Sequence, residues 1–327
     1  MDYKEALEVF KRLFENEMDE KEAKELLISL YEKGESAEEI AAAAKVMREH
    51  SVKLNIKEEL KDKLIDVVGT GGDKSGSFNI SSTVAILLAS LGCYVAKHGN
   101  RAITSNAGSA DMLEALGVNL NLSIQKQEKM LEETGFVFMF AINHHPAMKH
   151  IMPIRRSLPH RTIFNILGPL TNPAGVKKYL LGVFDKNYIE KITKALILLD
   201  TEDSMIVSSH DGLDEISISD ITYYNLIKNG KIKEGEINPT DYGFGLYPFE
   251  AIKGGDAKEN AKITKEILSG ERKGAMRDIV LLNSAAALMV EGFARDIKEG
   301  IEMASEAIDS KKALKKLEQI VKVSNQL

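Results

Sequence analysis

Gly69-Thr70-Gly71-Gly72-Asp73 places three glycines within four positions, directly after the apolar run Leu64, Ile65, Val67 and Val68. Glycine lets a backbone turn sharply and bring its N–H groups close to a ligand, so this loop suits phosphate. Asn79-Ile80-Ser81-Ser82 follows and opens an apolar segment that closes at Gly92. A helix starting there would add free N–H groups and the positive end of its dipole. Neither common phosphate motif is present. Lys74 stands where a Walker loop needs its second glycine and where the dinucleotide fingerprint needs its third. A tight turn followed by an ordinary Asn/Ser helix cap is the plainer reading of the same residues.

A second group, Lys97-His98-Gly99-Asn100-Arg101, comes after the short apolar run Tyr94 to Ala96. Lys97 supplies a compact positive charge, and Asn100 supplies donors and an acceptor. The planar fork of Arg155 suits a carboxylate, whereas Arg156 and Arg161 read as surface charges or ties between domains. Asp214-Glu215 offers adjacent hard oxygen ligands that suit magnesium bound beside substrate phosphates; paired acids also decorate solvated loops. His144-His145 lacks a companion Cys or His at ligand spacing. Cys93, the single cysteine, reads as a buried, inert thiol.

To bring these groups together the chain must run strand, glycine loop, helix, strand, basic loop. That unit puts both loops at the carboxyl ends of parallel strands, where open α/β sheets bind ligands. Residues 1–63 carry only helical stripes, such as Ala6, Phe10, Leu13 and Phe14. Ser36-Ala37-Glu38-Glu39 is a capping box opening the third stripe. Beyond Leu64, helices are expected over Ala110–Leu116, Gln125–Glu133, Tyr188–Leu199, Ala257–Leu268 and Ala275–Phe293, with another starting within His144–Ile151. Strands are expected over Val118–Leu122, Phe136–Ala141 and Met205–Ser208, and Asn229-Gly230 marks a hairpin within Ile221–Ile237. Arg161–Pro173, with two prolines and a glycine, reads as a crossover between domains. The expected fold is α/β, a mainly parallel central sheet flanked by helices. A smaller all-helical domain is formed by residues 1–63 and completed by part of 161–180; residues 64–327 form the α/β domain.

Net charge is −6 and 44% of residues are hydrophobic. That balance argues against a broad nucleic-acid surface and allows a substantial core. The acidic, amphipathic start lacks the features of a signal peptide, and no apolar run reaches the length of a membrane span. A cytoplasmic enzyme is expected.

The blocks GTGGD, SFNISS, KHGNR, SNAGSADMLEALG, HHPAMKHIMPIRR, RTIFNILGPLTNP and DGLDEIS occur in an order that resembles the anthranilate phosphoribosyltransferase family of tryptophan biosynthesis. They cover the chain from about Asp66 to Ser219; its two ends match in character more than in motif. The resemblance implies transfer of the phosphoribosyl group of phosphoribosyl pyrophosphate to anthranilate, with Mg2+ as cofactor, by a homodimer joined through the helical domain. It implies substrate contacts at Gly69, Gly72, Asp73, Ser77, Asn79, Ile80, Ser81 and Ser82. Further contacts are implied at Lys97, His98, Gly99, Asn100, Arg101, Ser105 and Ser109. Arg155 would meet the anthranilate carboxylate, His145 would line the channel of the aromatic substrate, and Ser81, Asp214 and Glu215 would ligate magnesium. An aromatic amine is neutral at pH 7 with its lone pair exposed, so no general base is expected. The departures are small: Lys74 and Ser75 fill a variable part of the loop, and Ser77 stands where threonine is frequent. A pyrimidine nucleoside phosphorylase-like enzyme would share the lysine-bearing loop, but DGLDEIS and RTIFNILGPLTNP argue against it. A non-catalytic nucleotide-binding relative would need neither the Asp214-Glu215 pair nor Arg155.

Overall fold

The structure, a computed structural model, describes residues 1–102 and 107–327. It opens with α1 (Tyr3–Phe14), α2 (Glu20–Lys33), α3 (Ala37–Glu49) and the short α4 (Glu58–Lys61). Side-chain caps start the first three. The Ser36–Glu39 capping box is present at α3, and Asp2 and Asp19 cap α1 and α2. The alanine-rich α3 packs closely against α1 and against a later helix over Asn187–Leu198.

Next come β1 (Leu64–Gly69), α5 (Ile80–Leu91), β2 (Tyr94–Gly99), α6 (Ser109–Ala115), α7 (Ile124–Thr134) and β3 (Phe136–Phe140). The connection onward carries α8 (Ala141–His144), α9 (Met148–Arg156) and α10 (Phe164–Leu167). It leads to β4 (Lys178–Gly182), α11 (Asn187–Leu198), β5 (Ser204–Ser209), β6 (Thr222–Lys228) and β7 (Lys231–Ile237). Four helices close the chain: α12 (Ala257–Leu268), α13 (Ala275–Glu291), α14 (Ile297–Asp309) and α15 (Lys312–Gln326).

The seven strands form one sheet in the order β3-β2-β1-β4-β5-β6-β7. The first five are parallel, and β6 and β7 add an antiparallel edge. Chain order runs outward from β1 in both directions, so the sheet has its switch point between β1 and β4, where open α/β sheets bind ligands. The five parallel strands are buried on both faces, which explains their largely apolar runs, whereas β7 is mostly exposed. Along β4, Leu180 belongs to the core under α5 and α13, while Tyr179 and Leu181 belong to the core shared with α3 and α11.

Two expectations fail here. Val118–Leu122 forms no strand: Val118 and Leu120 are buried, but the Asn119 N–H donates to Ser324 Oγ of α15 at 3.0 Å instead of to a ladder. And β4, at the middle of the sheet, is absent from the strands expected of the sequence. Packing against the first helices is broader than the crossover alone, since α9 contacts α1 and α2 while α10 contacts α3. Among the described residues, no helix is long and apolar enough to cross a membrane.

Candidate active site

β1 and β4 end side by side, Gly69 paired with Gly182. Both must be glycine because the Asp214 loop crosses over them. A Cβ on Gly69 would lie 2.4 Å from Asp214 Oδ2, and one on Gly182 only 1.6 Å from the Asp214 main-chain oxygen. The crossing carries Asp214 onto the glycine loop, where its Oδ2 accepts the Gly71 N–H at 2.6 Å. The loop itself turns through positive φ at Gly71 and Gly72, +69° and +73°, a region open to glycine at little cost. Downstream, Ser77 bridges to Lys253 and the Phe78 N–H donates to Ile252 O at 3.1 Å.

Helix α5 begins with Ile80, and Asn79 does not cap it through its side chain. That is a correction to plain capping. Asn79 Nδ2 donates to Ala107 O at 3.2 Å, and Oδ1 accepts from Asn260 Nδ2 at 2.9 Å. Asn79 therefore does not cap the first amides of α5, and Glu215 comes close enough to the Ser81 N–H and hydroxyl for both to hold its pKa down against burial. Ser81 stands in this first turn half-buried; Ser82 is fully buried with an unpartnered hydroxyl among the described residues.

Lys97 and His98, expected on a basic loop, lie within β2 and are buried, 1% and 4% exposed. Lys97 Nζ donates to Val67 O at 2.5 Å and Ser81 Oγ at 3.1 Å. Burial lowers its pKa, while the charges of Asp66, Glu215 and Asp214 oppose that fall. The acids carry the converse strain. Burial pushes Asp214 well up, and the charges of Asp73 and Glu215 push it further. Burial also raises Glu215 to about 7 against the pull of Lys97, with Asp73 adding to the rise. One buried lysine thus faces an excess of carboxylate.

Asp66, which its apolar run conceals in the sequence, lies in β1 beside β2. Its Oδ2 accepts from Asn172 Nδ2 at 2.8 Å and more distantly from the His98 N–H at 3.4 Å. Burial raises its carboxyl to about 6, opposed first by Lys97. His98 Nδ1 meets Gly168 O at 3.2 Å, and its Nε2 meets His145 Nε2 at 3.2 Å. With Nδ1–H donating to the carbonyl, His98 Nε2 accepts the His145 proton. Burial lowers both imidazoles, to about 3 and about 4, so both are neutral at pH 7. His98 and His145 thereby join β2 to the crossover.

The remaining expected residues divide. Gly99 lies under Phe138 and beside Ser109, the first residue of α6. Asn100 Oδ1 accepts the Arg101 N–H at 2.8 Å. The Arg101 guanidinium turns away to Asp111 and Glu114, both within 2.9 Å, so only its backbone is left for the loop. Ser105 lies outside the described residues. Arg155, in the last turn of α9, is half-buried, and its guanidinium has no hydrogen-bond or ion-pair partner among the described residues. Burial, and then Arg156, lower its pKa. Arg161 proves to be a contact of the glycine loop: Nη2 donates to Gly72 O, and Cζ lies 3.7 Å above the Phe184 ring. Asn172 and Asn260 could not have been singled out beforehand, since neither sits in a pattern that separates it from loop or helix filling.

The donor set of Asp214, Glu215 and the Ser81 hydroxyl consists of hard oxygens, and a cation would relieve the repulsion that raises both carboxyls. Among the described residues no group of three or more His, Cys, Asp or Glu forms a complete cage. That pattern fits magnesium, which takes one or two carboxylates and shares the rest of its shell with substrate phosphates.

Residues 1–51 match the helical bundle domain of a glycosyl transferase family, and residues 61–314 match that family's a/b domain. Over 302 residues the chain is 47% identical to the anthranilate phosphoribosyltransferase of Thermoanaerobacter sp. (strain X514), covering 92% of this chain and 88% of that one. The chain belongs to the anthranilate phosphoribosyltransferase family. Among solved members, the Thermus thermophilus enzyme superposes with a TM-score of 0.92 at 40% identity, covering 99% of this chain and 96% of that one. The Saccharomyces cerevisiae enzyme, solved in complex with PRPP and Mg, superposes at 0.87 with 30% identity, covering 98% and 92%.

Proposed function

We propose that the protein transfers the phosphoribosyl group of phosphoribosyl pyrophosphate to the amine of anthranilate, giving N-(5-phosphoribosyl)anthranilate and pyrophosphate, the second step of tryptophan biosynthesis from chorismate. The observation that carries this reading is the convergence at the β1/β4 switch point. There the glycine loop, the start of α5, buried Lys97 and the Asp214–Glu215 pair meet at one end of the sheet.

The displaced pyrophosphate gathers charge while C1 of the ribose gains oxocarbenium character. The Gly72 and Asp73 amides, with Ser77, receive the pyrophosphate, while the Thr70 and Gly71 N–H groups hold the loop against Gly182 O and Asp214 Oδ2 beyond Gly69. Asn79, Ile80, Ser81 and Ser82 add the donors of the first turn of α5. Lys97 supplies fixed positive charge where burial strengthens it, and Gly99, Asn100, the Arg101 backbone and Ser109 border the ribose phosphate. Magnesium held by Ser81, Asp214 and Glu215 would neutralise charge on the phosphates. Arg155 pairs with the anthranilate carboxylate and His145 borders its ring. Orientation and exclusion of competing water then do the catalytic work, with no general base.

Residues 1–63 with α9 and α10 act as the helical domain, and residues beyond Leu64 otherwise form the α/β domain. The helical domain joins two copies into a homodimer in the cytoplasm; the exposed Tyr31 ring on α2 offers that face an apolar contact. The test is anthranilate fluorescence in the presence of phosphoribosyl pyrophosphate and magnesium. Signal loss that requires all three is expected; cleavage of thymidine or uridine by phosphate without the transfer would overturn the reading.

A further inference from the structure

Three consecutive residues of the glycine loop are held by three different elements. Thr70 Oγ1 accepts the Phe184 N–H at 3.2 Å, just past the end of β4. Gly71 donates to Asp214 Oδ2. Gly72 O accepts from Arg161 Nη2, and the Arg161 guanidinium rests on the Phe184 ring. These contacts close a ring, from Thr70 to Phe184, from Phe184 to Arg161, and from Arg161 back to Gly72. The ring is continuous with the first helices: Phe184 packs on Tyr188 with centroids 5.3 Å apart, and the Tyr188 hydroxyl donates to buried Glu35, between α2 and α3, at 3.4 Å.

The loop needs such bracing. Gly71 and Gly72 have no side chains through which to be held, and glycine loses more freedom on ordering than any other residue. Carbonyl and following N–H belong to one planar trans peptide and point in opposite directions. Drawing the Gly72 carbonyl toward the crossover therefore turns the Asp73 N–H to the opposite side.

We propose that Arg161, stacked on Phe184, is a positioning residue that presets the Gly72–Asp73 peptide for the pyrophosphate group. This rests on the reading of the loop as the pyrophosphate cradle. The guanidinium contributes through the peptide it holds; its face is spent on Phe184 and its Nη2 on the main chain. Preorganised donors bind an anion without being ordered at the moment of binding.

The experiment compares the parent with Arg161→Lys, Phe184→Leu and the double variant. It measures KM for each substrate, kcat, and calorimetric binding of inorganic pyrophosphate with magnesium. Lysine keeps the charge but loses the stacked fork; leucine at 184 leaves every polar group of the loop in place. Arg161→Lys is expected to weaken phosphoribosyl pyrophosphate and pyrophosphate about five- to tenfold, with the KM for anthranilate within about twofold. Phe184→Leu should act in the same direction by about threefold, and the double variant should resemble the stronger single one, because both break one ring.

Unchanged pyrophosphate affinity in Arg161→Lys would overturn the proposal. So would an effect of Arg161→Lys without one of Phe184→Leu, which would mean that the guanidinium touches substrate directly. Multiplying effects in the double variant would also contradict it. Should Arg161→Lys fail to fold, Phe184→Leu is read alone by the same two affinities. A parent that neither transfers nor binds pyrophosphate would instead overturn the functional reading; an active parent with indifferent variants overturns only the clamp.

Discussion

At the contact of α13 and α14, Arg277 is 6% exposed and donates to both oxygens of Asp309, at 2.7 and 2.8 Å, and to Ser305 Oγ at 2.9 Å. That pairing holds the Asp309 carboxyl well below the usual carboxylate range. At the ends of β1 and β4 the arrangement is reversed. Asp214 and Glu215 are pushed up by burial and by neighbouring acids, Lys97 is pushed down, and the Arg155 guanidinium has no partner among the described residues. Charge completed within the chain stabilises the fold. Charge left incomplete costs stability, and it persists where a ligand supplies the missing partners.

Gly182→Ala should break the incomplete site most severely. Its Cβ would need the space of the Asp214 main chain, and a misplacement of that order costs about a hundredfold in turnover. Steady-state kinetics on folded protein checks this; retention of full activity would mean that the Asp214 loop can shift freely. Arg155→Ala should raise the KM for anthranilate about ten- to hundredfold, the equivalent of a charged hydrogen bond of about 1.5–3 kcal/mol. The KM for phosphoribosyl pyrophosphate should change far less, and equal losses for both substrates would place Arg155 elsewhere.

An intermediate case sharpens the contrast. Lys178 Nζ meets Glu291 Oε1 at 3.2 Å, but Glu291 Oε2 is buried without a partner among the described residues. Burial raises this carboxyl from 4.5 to about 7 despite Lys178. Because the folded-state value is the higher, the stability it contributes is present below pH 4.5 and is lost as pH rises through about 7. Urea unfolding across that window should show Glu291→Gln flattening the decline by about 3 kcal/mol; parallel curves for parent and variant would contradict the shift. The smallest effect is expected at the completed pair. Asp309→Asn should lower stability by about 1 kcal/mol, since the acid is half-exposed, and leave kcat unchanged.

Much of this is legible in the chain. Helix α12 has the expected bounds, because Asp256 caps it and a clear apolar stripe runs through it. Asn229 and Gly230 take φ of +51° and +71° at the hairpin they announce. The phosphate-side loops fall next to each other because β1 and β2 are parallel neighbours. What escapes depends on long-range partners. KYLLG is too short and too uniformly apolar to separate strand from helix by periodicity, and its central place is set by β1 and β5 on either side. Val118–Leu122 alternates as a half-buried surface does, but no strand adjoins it. Lysine is seldom buried unpaired, so the sequence puts Lys97 in solvent; its acids come from Asp66 and the distant Asp214 loop. Arg161 is one arginine among three close together, and nothing local distinguishes the one that reaches Gly72.

The magnesium dependence of anthranilate consumption, at saturating phosphoribosyl pyrophosphate, tests the central claim most directly. Asp214→Asn with Glu215→Gln keeps size and polarity while removing two negative charges. The folded double variant should lose turnover by about a hundredfold and require far more magnesium for what remains. It should also be no less stable than the parent without magnesium, since the buried repulsion is gone. A folded, fully active double variant with the parent's magnesium profile would show that these carboxylates hold no metal and that the incomplete charge has another purpose.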